Sequence, residues 1–385
     1  MISVAGAQRL RSRRADGPAV LSVYLEVPVD VGDHRGLPNR ARELIKAAAS
    51  QEPRANGRQV SSVDVESIVS AIDQDSQEWL GHTVAMFACS RIGLFEAIPL
   101  PRSGTDQAVI ADRPHIRPLL AALQRNPAYR AALVDTKHAW ILHISDDGIE
   151  TVAERTGTGV RSPAFGGWYG LETYRVQQRV MELSKQHFRD TIGMLQQEDR
   201  SGWPLVLGGH DSEITRFLGL LPRTVRQSVA GSFNVDLQTA TPGRVRELAR
   251  PVIATWAEDK EASLVADTLD QPPDVAVSTD LDKCLAASRA SAIAQLIVPD
   301  DVLVPGFACS ACGALSSKAG ECDCEDPGEC CKPVTDLLDE LANRTLDGGG
   351  QVFSVRDAPF TAAARLRFPL AAATAGSGQG QEQAF

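Results

Sequence analysis

FGGWYGLETYRVQQRVMELSKQHFRD, residues 165–190, is the stretch that decides how this chain is built. A glycine pair stands directly ahead of a long run of helix formers. Adjacent glycines reach positive φ and let the backbone approach a ligand with no Cβ in the way. At about 100° per residue, Tyr174, Met181, Phe188, Ile192 and Leu195 fall on one narrow stripe. That spacing predicts a helix from about Leu171 to Gln197 with the stripe against a core. Arg175, Arg179 and Arg189 lie beside the stripe, with Gln178 and Gln186 among them.

From Arg155 to Arg189 there are six Arg or Lys (155, 161, 175, 179, 185 and 189) against two acids, Glu172 and Glu182. The chain as a whole carries a net charge of -10, so this segment reverses the sign locally, as a surface that meets phosphates would. The overall acidity excludes a general nucleic-acid coat. It leaves room for RNA contact through one basic patch, because phosphate attraction acts within a Debye length of about 8 Å. Arg161, Arg175, Arg179, Lys185 and Arg189 are the candidate phosphate contacts, and Trp168 is the candidate stacking face. Without such a partner, a helix bearing four cations is simply solvated.

Outward from this segment, the chain of 385 residues reads as three α/β domains, at residues 1–128, 129–270 and 271–385. In the first, 17–30 predicts a strand, 38–50 and 61–80 predict helices, 82–100 a hairpin, and 113–127 a short helix bounded by prolines. The second opens with RAALVDTKHAWILHIS (130–145), read as one strand that GIETVAERT (148–156) can pair with. It continues with a buried strand at 204–209 and a helix at 211–221 that Asp211 caps. A helix at 241–269 follows, which Pro251 is expected to kink or interrupt. A linker at 271–274 leads to a helix near 280–293, the strand 294–299, a Cys-rich insert at 307–332, a helix at 333–345 and the strand 351–357. The tail at 375–384 is low in complexity and reads as frayed. No run approaches the roughly 18 apolar residues of a membrane span, and no signal-peptide pattern opens the chain. A cytoplasmic protein with no membrane partner is expected.

Six of the eight cysteines fall between Cys309 and Cys331, spaced Cys309-x2-Cys312-x9-Cys322-x-Cys324-x5-Cys330-Cys331. A chain outside an oxidising compartment that crowds its thiols this way points to metal binding rather than disulfides. The C-x2-C knuckle supplies two of the four soft ligands that tetrahedral zinc needs. The second pair is open among Cys322, Cys324, Cys330 and Cys331. Adjacent cysteines rarely share one metal, so Cys324 with one of the last two, Cys330 by preference, completes a set with Cys309 and Cys312 around one structural zinc. The alternative is a group of reduced or redox-active thiols.

The order Gly166-Gly167-Trp168, Tyr174, Gln177-Gln178-Arg179, His187-Phe188-Arg189, then PLVLGG (204–209) and FLGLLPRTVRQSVAGSF (217–233), resembles the central domain of class 1 archaeo-eukaryotic release factors and Pelota-like factors. It is more similar still to their bacterial relatives. The resemblance implies a ribosome-binding translation factor of the release, rescue or hibernation type. It implies ribosomal RNA, tRNA and a translational GTPase as partners, and no DNA. It also implies a third domain like the α/β/α fold of kink-turn RNA-binding ribosomal proteins, with a small zinc-ribbon-like insert. In that family a Gly-Gly-Gln loop enters the peptidyl-transferase centre and promotes hydrolysis of peptidyl-tRNA, so Gly166, Gly167 and Trp168 take the catalytic positions. A backbone N–H at 168 can still face a developing oxyanion. Trp cannot accept a hydrogen bond, however, and its indole is far larger than a Gln amide, which argues against hydrolysis. No GxxxxGK[ST] loop and no G-x-S-x-G elbow is present. The remaining alternative is a small-molecule enzyme or ligand-binding α/β protein that uses the Gly-rich corner GGHDSE (208–213).

Overall fold

The computed structural model describes the chain apart from residues 1–3, 16–18, 52–59, 103–105, 146–147, 157–170, 198–199, 201, 272–276, 323, 325–329 and 369–385. The glycine tip, most of the expected linker and the expected frayed tail therefore lie outside the described residues. The protein is a mixed α/β chain with several separate sheets. It divides into two compact units, one of residues 1–6 and 122–262, the other of 7–121 and 263–385.

The first unit is built on five strands, β5 (Tyr129–Val134), β6 (His138–Ser145), β7 (Gly148–Thr156), β8 (Leu205–Gly209) and β9 (Val229–Asn234), in the order β7-β6-β5-β8-β9. β5 pairs antiparallel with β6 and parallel with β8. Successive side chains of a strand leave on opposite faces, and β5 shows it. Ala132 and Val134 join Phe188, Ile192, Leu195 and Phe217 on one face. Ala131 and Leu133 join Val245, Ala249 and Ile253 on the other. The first face is covered by helix α5 (Leu171–Gln197) with α6 (Asp211–Leu220), the second by α8 (Pro242–Leu269).

Residues 130–145 are not one strand but a hairpin, because Asp135 makes a turn. Its Oδ1 accepts the backbone N–H groups of Lys137 and His138, and its Oδ2 lies 3.0 Å from His138 Nδ1. An Asx-type turn of this kind reverses the chain within three residues. Pro251 does not interrupt α8, which is helical on both sides of it. Asp211 is not the cap of α6 but its first residue, after His210 in the cap position with no side-chain hydrogen bond. Its charge still favours that end of the helix dipole.

In the second unit, β1 (Val20–Glu26), β2 (Thr83–Cys89), β3 (Leu94–Leu100) and β4 (Gln107–Ala111) form an antiparallel sheet in the order β3-β2-β1-β4. Leu21, Val23 and Leu25 pack against α2 (Leu37–Gln51) and α3 (Ser62–Asp75). A mixed sheet holds β10 (Val277–Ser278), β16 (Ala363–Leu366), β11 (Ile293–Pro299) and β15 (Gln351–Val355) in that order, with α9 (Leu281–Arg289) and α10 (Leu337–Asp347). Between β11 and α10 the Cys-rich insert forms a small antiparallel sheet of β12 (Gly306–Cys309), β13 (Leu315–Ser316) and β14 (Cys331–Val334).

Residues far apart in sequence meet in this unit around Arg117, which is wholly buried. Its Nε and Nη2 donate to Asp336 Oδ2 at 2.9 and 2.8 Å. His115 Nε2 lies 3.0 Å from the same oxygen. Arg117 also donates to the carbonyls of Pro299 and Val302. Asp339 accepts the backbone N–H groups of Ile116 and Arg117. Burial pushes Asp336 up, but the His115 hydrogen bond and the Arg117 charge outweigh it and hold the carboxyl below the usual range. Burial, reinforced by the Asp336 charge, raises Asp339. Breaking a buried ion pair from one side strands the other charge. Arg117→Ala should therefore cost about 3–5 kcal/mol of stability in chemical denaturation of the full chain. A loss under about 1 kcal/mol would show that the carboxylates find solvent or another cation.

Candidate nucleic-acid interface and metal centre

α5 has two different halves. Ser184, His187, Phe188, Thr191, Ile192 and Leu195 are buried, and Phe188 meets the ring of Phe217 edge-on at 5.4 Å. Met181 lies on the same stripe but is 55% exposed. The expectation that the whole stripe faces a core therefore fails at Met181, because packing onto the sheet begins one turn later. The side chains of Tyr174 and Arg175 lie outside the described residues, as do Arg161, Gly166, Gly167 and Trp168.

Arg179, Lys185 and Arg189 are all exposed. Lys185 and Arg189 flank Glu182 at 3.9 and 3.6 Å. Pairs this exposed hold weakly, so the cations can exchange Glu182 for another anion. Arg155 pairs with Asp190, which also accepts a hydrogen bond from Gln186 at 2.8 Å. Arg130 was not singled out from the sequence, because it stands inside an apolar strand. It is buried, and donates to Ser228 Oγ at 3.1 Å and to the carbonyl of Trp203. It fixes the sheet rather than facing a partner.

The Gly-rich corner is used for packing. A Cβ on Gly208 would lie 2.9 Å from Phe233 Cζ and 3.1 Å from Leu133 Cγ. One on Gly209, at φ +150°, would lie 2.4 Å from the carbonyl oxygen of Val134. His210, Asp211 and Ser212 are exposed, and nothing in their geometry converges on a ligand.

The six clustered thiols converge. Cys309 ends β12, and Gly313 at φ +72° turns the knuckle so that its N–H reaches the Cys309 carbonyl at 3.0 Å. The backbone N–H of Cys312 points at Cys309 Sγ from 3.3 Å. That donor, working against burial, lowers the Cys309 thiol to about 5. The backbone N–H of Cys324 likewise lowers Cys322. Two groups of four sulfurs lie within 4.8 Å of one another, Cys309, Cys312, Cys322 and Cys324 in one, Cys309, Cys322, Cys330 and Cys331 in the other. The set read from spacing is thus divided. Cys309, Cys312 and Cys324 share a group with Cys322, and Cys330 joins Cys331. A third group of ligating side chains, His115, Asp336 and Asp339, is buried, but the Arg117 guanidinium already supplies its positive charge. Four residues spread from His115 to Asp339 left no signal in the sequence.

Residues 114–255 match the family described as bacterial archaeo-eukaryotic release factor family 10. This stretch, which contains α5 and the sheet beneath it, is release-factor-like. Among solved structures, the chain is similar to an archaeal translation termination factor, aRF1, at 14% identity over 95% of this chain and 99% of that one, with a TM-score of 0.27. It is similar to Archaeoglobus fulgidus Pelota at 14% identity, over 75% and 80%, with a TM-score of 0.36. It is also similar to S. cerevisiae Dom34, a translation termination-like factor interacting with Hbs1, at 8% identity, over 75% and 80%, with a TM-score of 0.38. Scores this low carry no weight for a shared overall arrangement. No curated protein matches the sequence.

His187, in the matched stretch, is 4% exposed. Burial holds it below the ordinary histidine value, against the opposing pull of the His138 backbone. The unfolded chain therefore takes up this proton more readily than the folded one. Stability due to His187 is intact above the unfolded value of about 6.5 and falls as pH drops through and below it. Melting temperatures of the parent and of His187→Gln, compared at about pH 7.5 and about pH 5.5, should show the parent losing ground at the lower pH. A difference that does not change with pH would refute a buried neutral His187.

Proposed function

We propose that this chain is a ribosome-binding translation factor of the release, rescue or hibernation type. It directs the loop at 165–170 toward the peptidyl-transferase region. The observation that carries the reading is the family match over residues 114–255, because that stretch includes α5 with its exposed Arg179, Lys185 and Arg189. On this reading the central domain, residues 129–270, carries the loop. It lies in sequence between an N-terminal α/β domain, 1–128, and a kink-turn-protein-like domain, 271–385. Arg161, Arg175 and Arg179 hold the loop against ribosomal RNA or tRNA, with Lys185 and Arg189 extending the phosphate contact. Gly166 and Gly167 allow close approach, and Trp168 stacks on a base or fills a cavity. The partners are the ribosome, its RNA, tRNA and a translational GTPase. The thiol cluster holds structural zinc. No helix among the described residues is long and apolar enough to cross a membrane.

Trp168 in place of a Gln favours occupation of the site over hydrolysis of the peptidyl-tRNA ester, because the indole offers no acceptor with which to orient a water. The glycines at 208 and 209 are taken up by Phe233, Leu133 and Val134, which leaves the small-molecule alternative without a geometric basis.

Cosedimentation with ribosomes tests the reading. Binding should be strong at low salt and fall steeply as salt rises. Trp168→Ala should weaken it by about tenfold or more with the melting temperature unchanged, since one base stack is worth about 1–3 kcal/mol. No association at any salt, or a large drop in melting temperature with unchanged binding per folded molecule, would overturn the assignment. Trp168→Gln separates the roles. Peptidyl-tRNA hydrolysis gained by this variant and absent from the parent identifies an occluding factor on a release-factor frame. Hydrolysis already present in the parent shows that the loop is catalytic without Gln.

A further inference from the structure

We propose that the insert holds two zinc ions in one thiolate-bridged cluster, with Cys309 and Cys322 as the bridging ligands. The proposal rests on the zinc assignment above and goes beyond it in number and connectivity. Cys312 and Cys324 complete the shell of one ion, and Cys330 and Cys331 that of the other.

The sharing of sulfurs is the observation that points to this. The two groups of four have Cys309 and Cys322 in common and between them use all six thiols. Each of those two makes short sulfur contacts with other members of the six, while Cys312 stays with Cys324 in one group and Cys330 with Cys331 in the other. Cys309 lies 3.6 Å from Cys324 and 3.3 Å from Cys330. Cys322 lies 3.5 Å from Cys330 and 3.4 Å from Cys331. With zinc–sulfur bonds of about 2.3 Å, the sulfurs of a tetrahedral site stand roughly 3.8 Å apart, so each group needs only a small expansion to close around an ion. All six cysteines are free thiols.

A single ion cannot satisfy this arrangement. It would take four sulfurs and leave two thiols packed against an anionic centre with no role. A thiolate has lone pairs enough to bind two metals, and two ions on six thiolates carry less residual negative charge per ion than one ion on four. The backbone supports the connectivity. Cys331 lies opposite Cys309 in the β12–β14 register. Cys330 stands just before β14 begins, so strand alternation does not send its sulfur to the far face. Each expected bridge also accepts a backbone N–H, and for Cys309 that donor is Cys312 at 3.3 Å. The guanidinium of Arg344, on α10, lies 3.8 Å from where a Cβ on Gly313 would stand. It places a cation beside the knuckle, where an anionic cluster is favoured.

Both shells are closed by sulfur alone, with no histidine and no position for water. The ions therefore serve structure, holding the end of a three-stranded sheet too small to carry its own core.

The test uses the full chain purified without chelator. Elemental analysis and native mass spectrometry should find two zinc ions per chain. X-ray absorption at the zinc edge should show an all-sulfur shell with a zinc–zinc scattering contribution beyond it. Cys331→Ser and Cys312→Ser should each retain one zinc, on the intact group of four, and lose the zinc–zinc feature. One zinc in the parent with two thiols that react freely would overturn the bridged cluster while leaving the zinc assignment standing. Two zinc ions with no metal–metal scattering would overturn the bridging. No zinc at all would remove both.

Discussion

The pairing of Arg117 with Asp336 is the constraint on which the larger unit depends. A guanidinium and a carboxylate removed from water are costly, and their attraction offsets that cost only when every remaining donor and acceptor is used. Here they are. Asp336 takes two guanidinium N–H groups and the His115 ring on one oxygen, and the backbone N–H groups of Leu338 and Val304 on the other. The Leu338 contact makes Asp336 the N-cap of α10. One carboxylate thus starts a helix and binds a residue more than two hundred positions earlier. Around it, Tyr24 donates to the His115 carbonyl at 2.6 Å, and the His115 N–H donates to Ser22 Oγ. Ser22 and Tyr24 alternate with Leu21 and Val23 along β1. The face of that strand turned away from α2 and α3 is therefore the one that receives the network. The first sheet and the last helix belong to one folded unit for this electrostatic reason.

The thiol cluster inherits its position from the same place. Leu337 follows the cap residue, and a Cβ on Gly306 would lie 2.8 Å from its Cδ2. The first strand of the insert therefore runs flush against the start of α10. Arg344, two turns along that helix, then reaches the knuckle glycine. A cluster of bare thiols has little apolar surface of its own to bury, so its geometry must come from strands anchored elsewhere and from whatever ions it binds. Cys-x2-Cys with a following glycine was legible in the sequence as a knuckle, because the turn needs positive φ at that position. Which sulfurs group together was not, since a one-dimensional spacing carries no information on how the loop between Cys312 and Cys322 returns.

Other parts of the chain divide along the same line between local and distant causes. The α5 helix, the buried strand at 204–209 and the helix after it were readable because periodicity and composition are properties of neighbours in sequence. The hairpin at Asp135 was missed because one carboxylate accepting two backbone N–H groups outweighed the strand-forming character of the residues on either side. Asp211 entered α6 instead of capping it, since His210 already held the extended cap conformation. The roles of Arg117 and Arg130 were invisible. Each sits in an apolar context that predicts burial, but the partners that make burial tolerable come from segments 65 to 219 residues away.

Met181 marks where local periodicity stops predicting and dimensions take over. A helix of 27 residues is roughly 40 Å long at about 1.5 Å per residue. The central strands it covers, of six and five residues, span only about 20 Å at about 3.3 Å per residue. No sheet of that depth can bury both ends. The end fixed by Phe188, Ile192 and Leu195 is the later one, so the overhang falls on the turns that follow the glycine loop. An amphipathic stripe continued past its core costs solvent-exposed apolar surface, about 25 cal/mol for each Å² left uncovered. Met181, 55% exposed, is where that cost is met, with Lys185 and Arg189 paired to Glu182 along the same overhang.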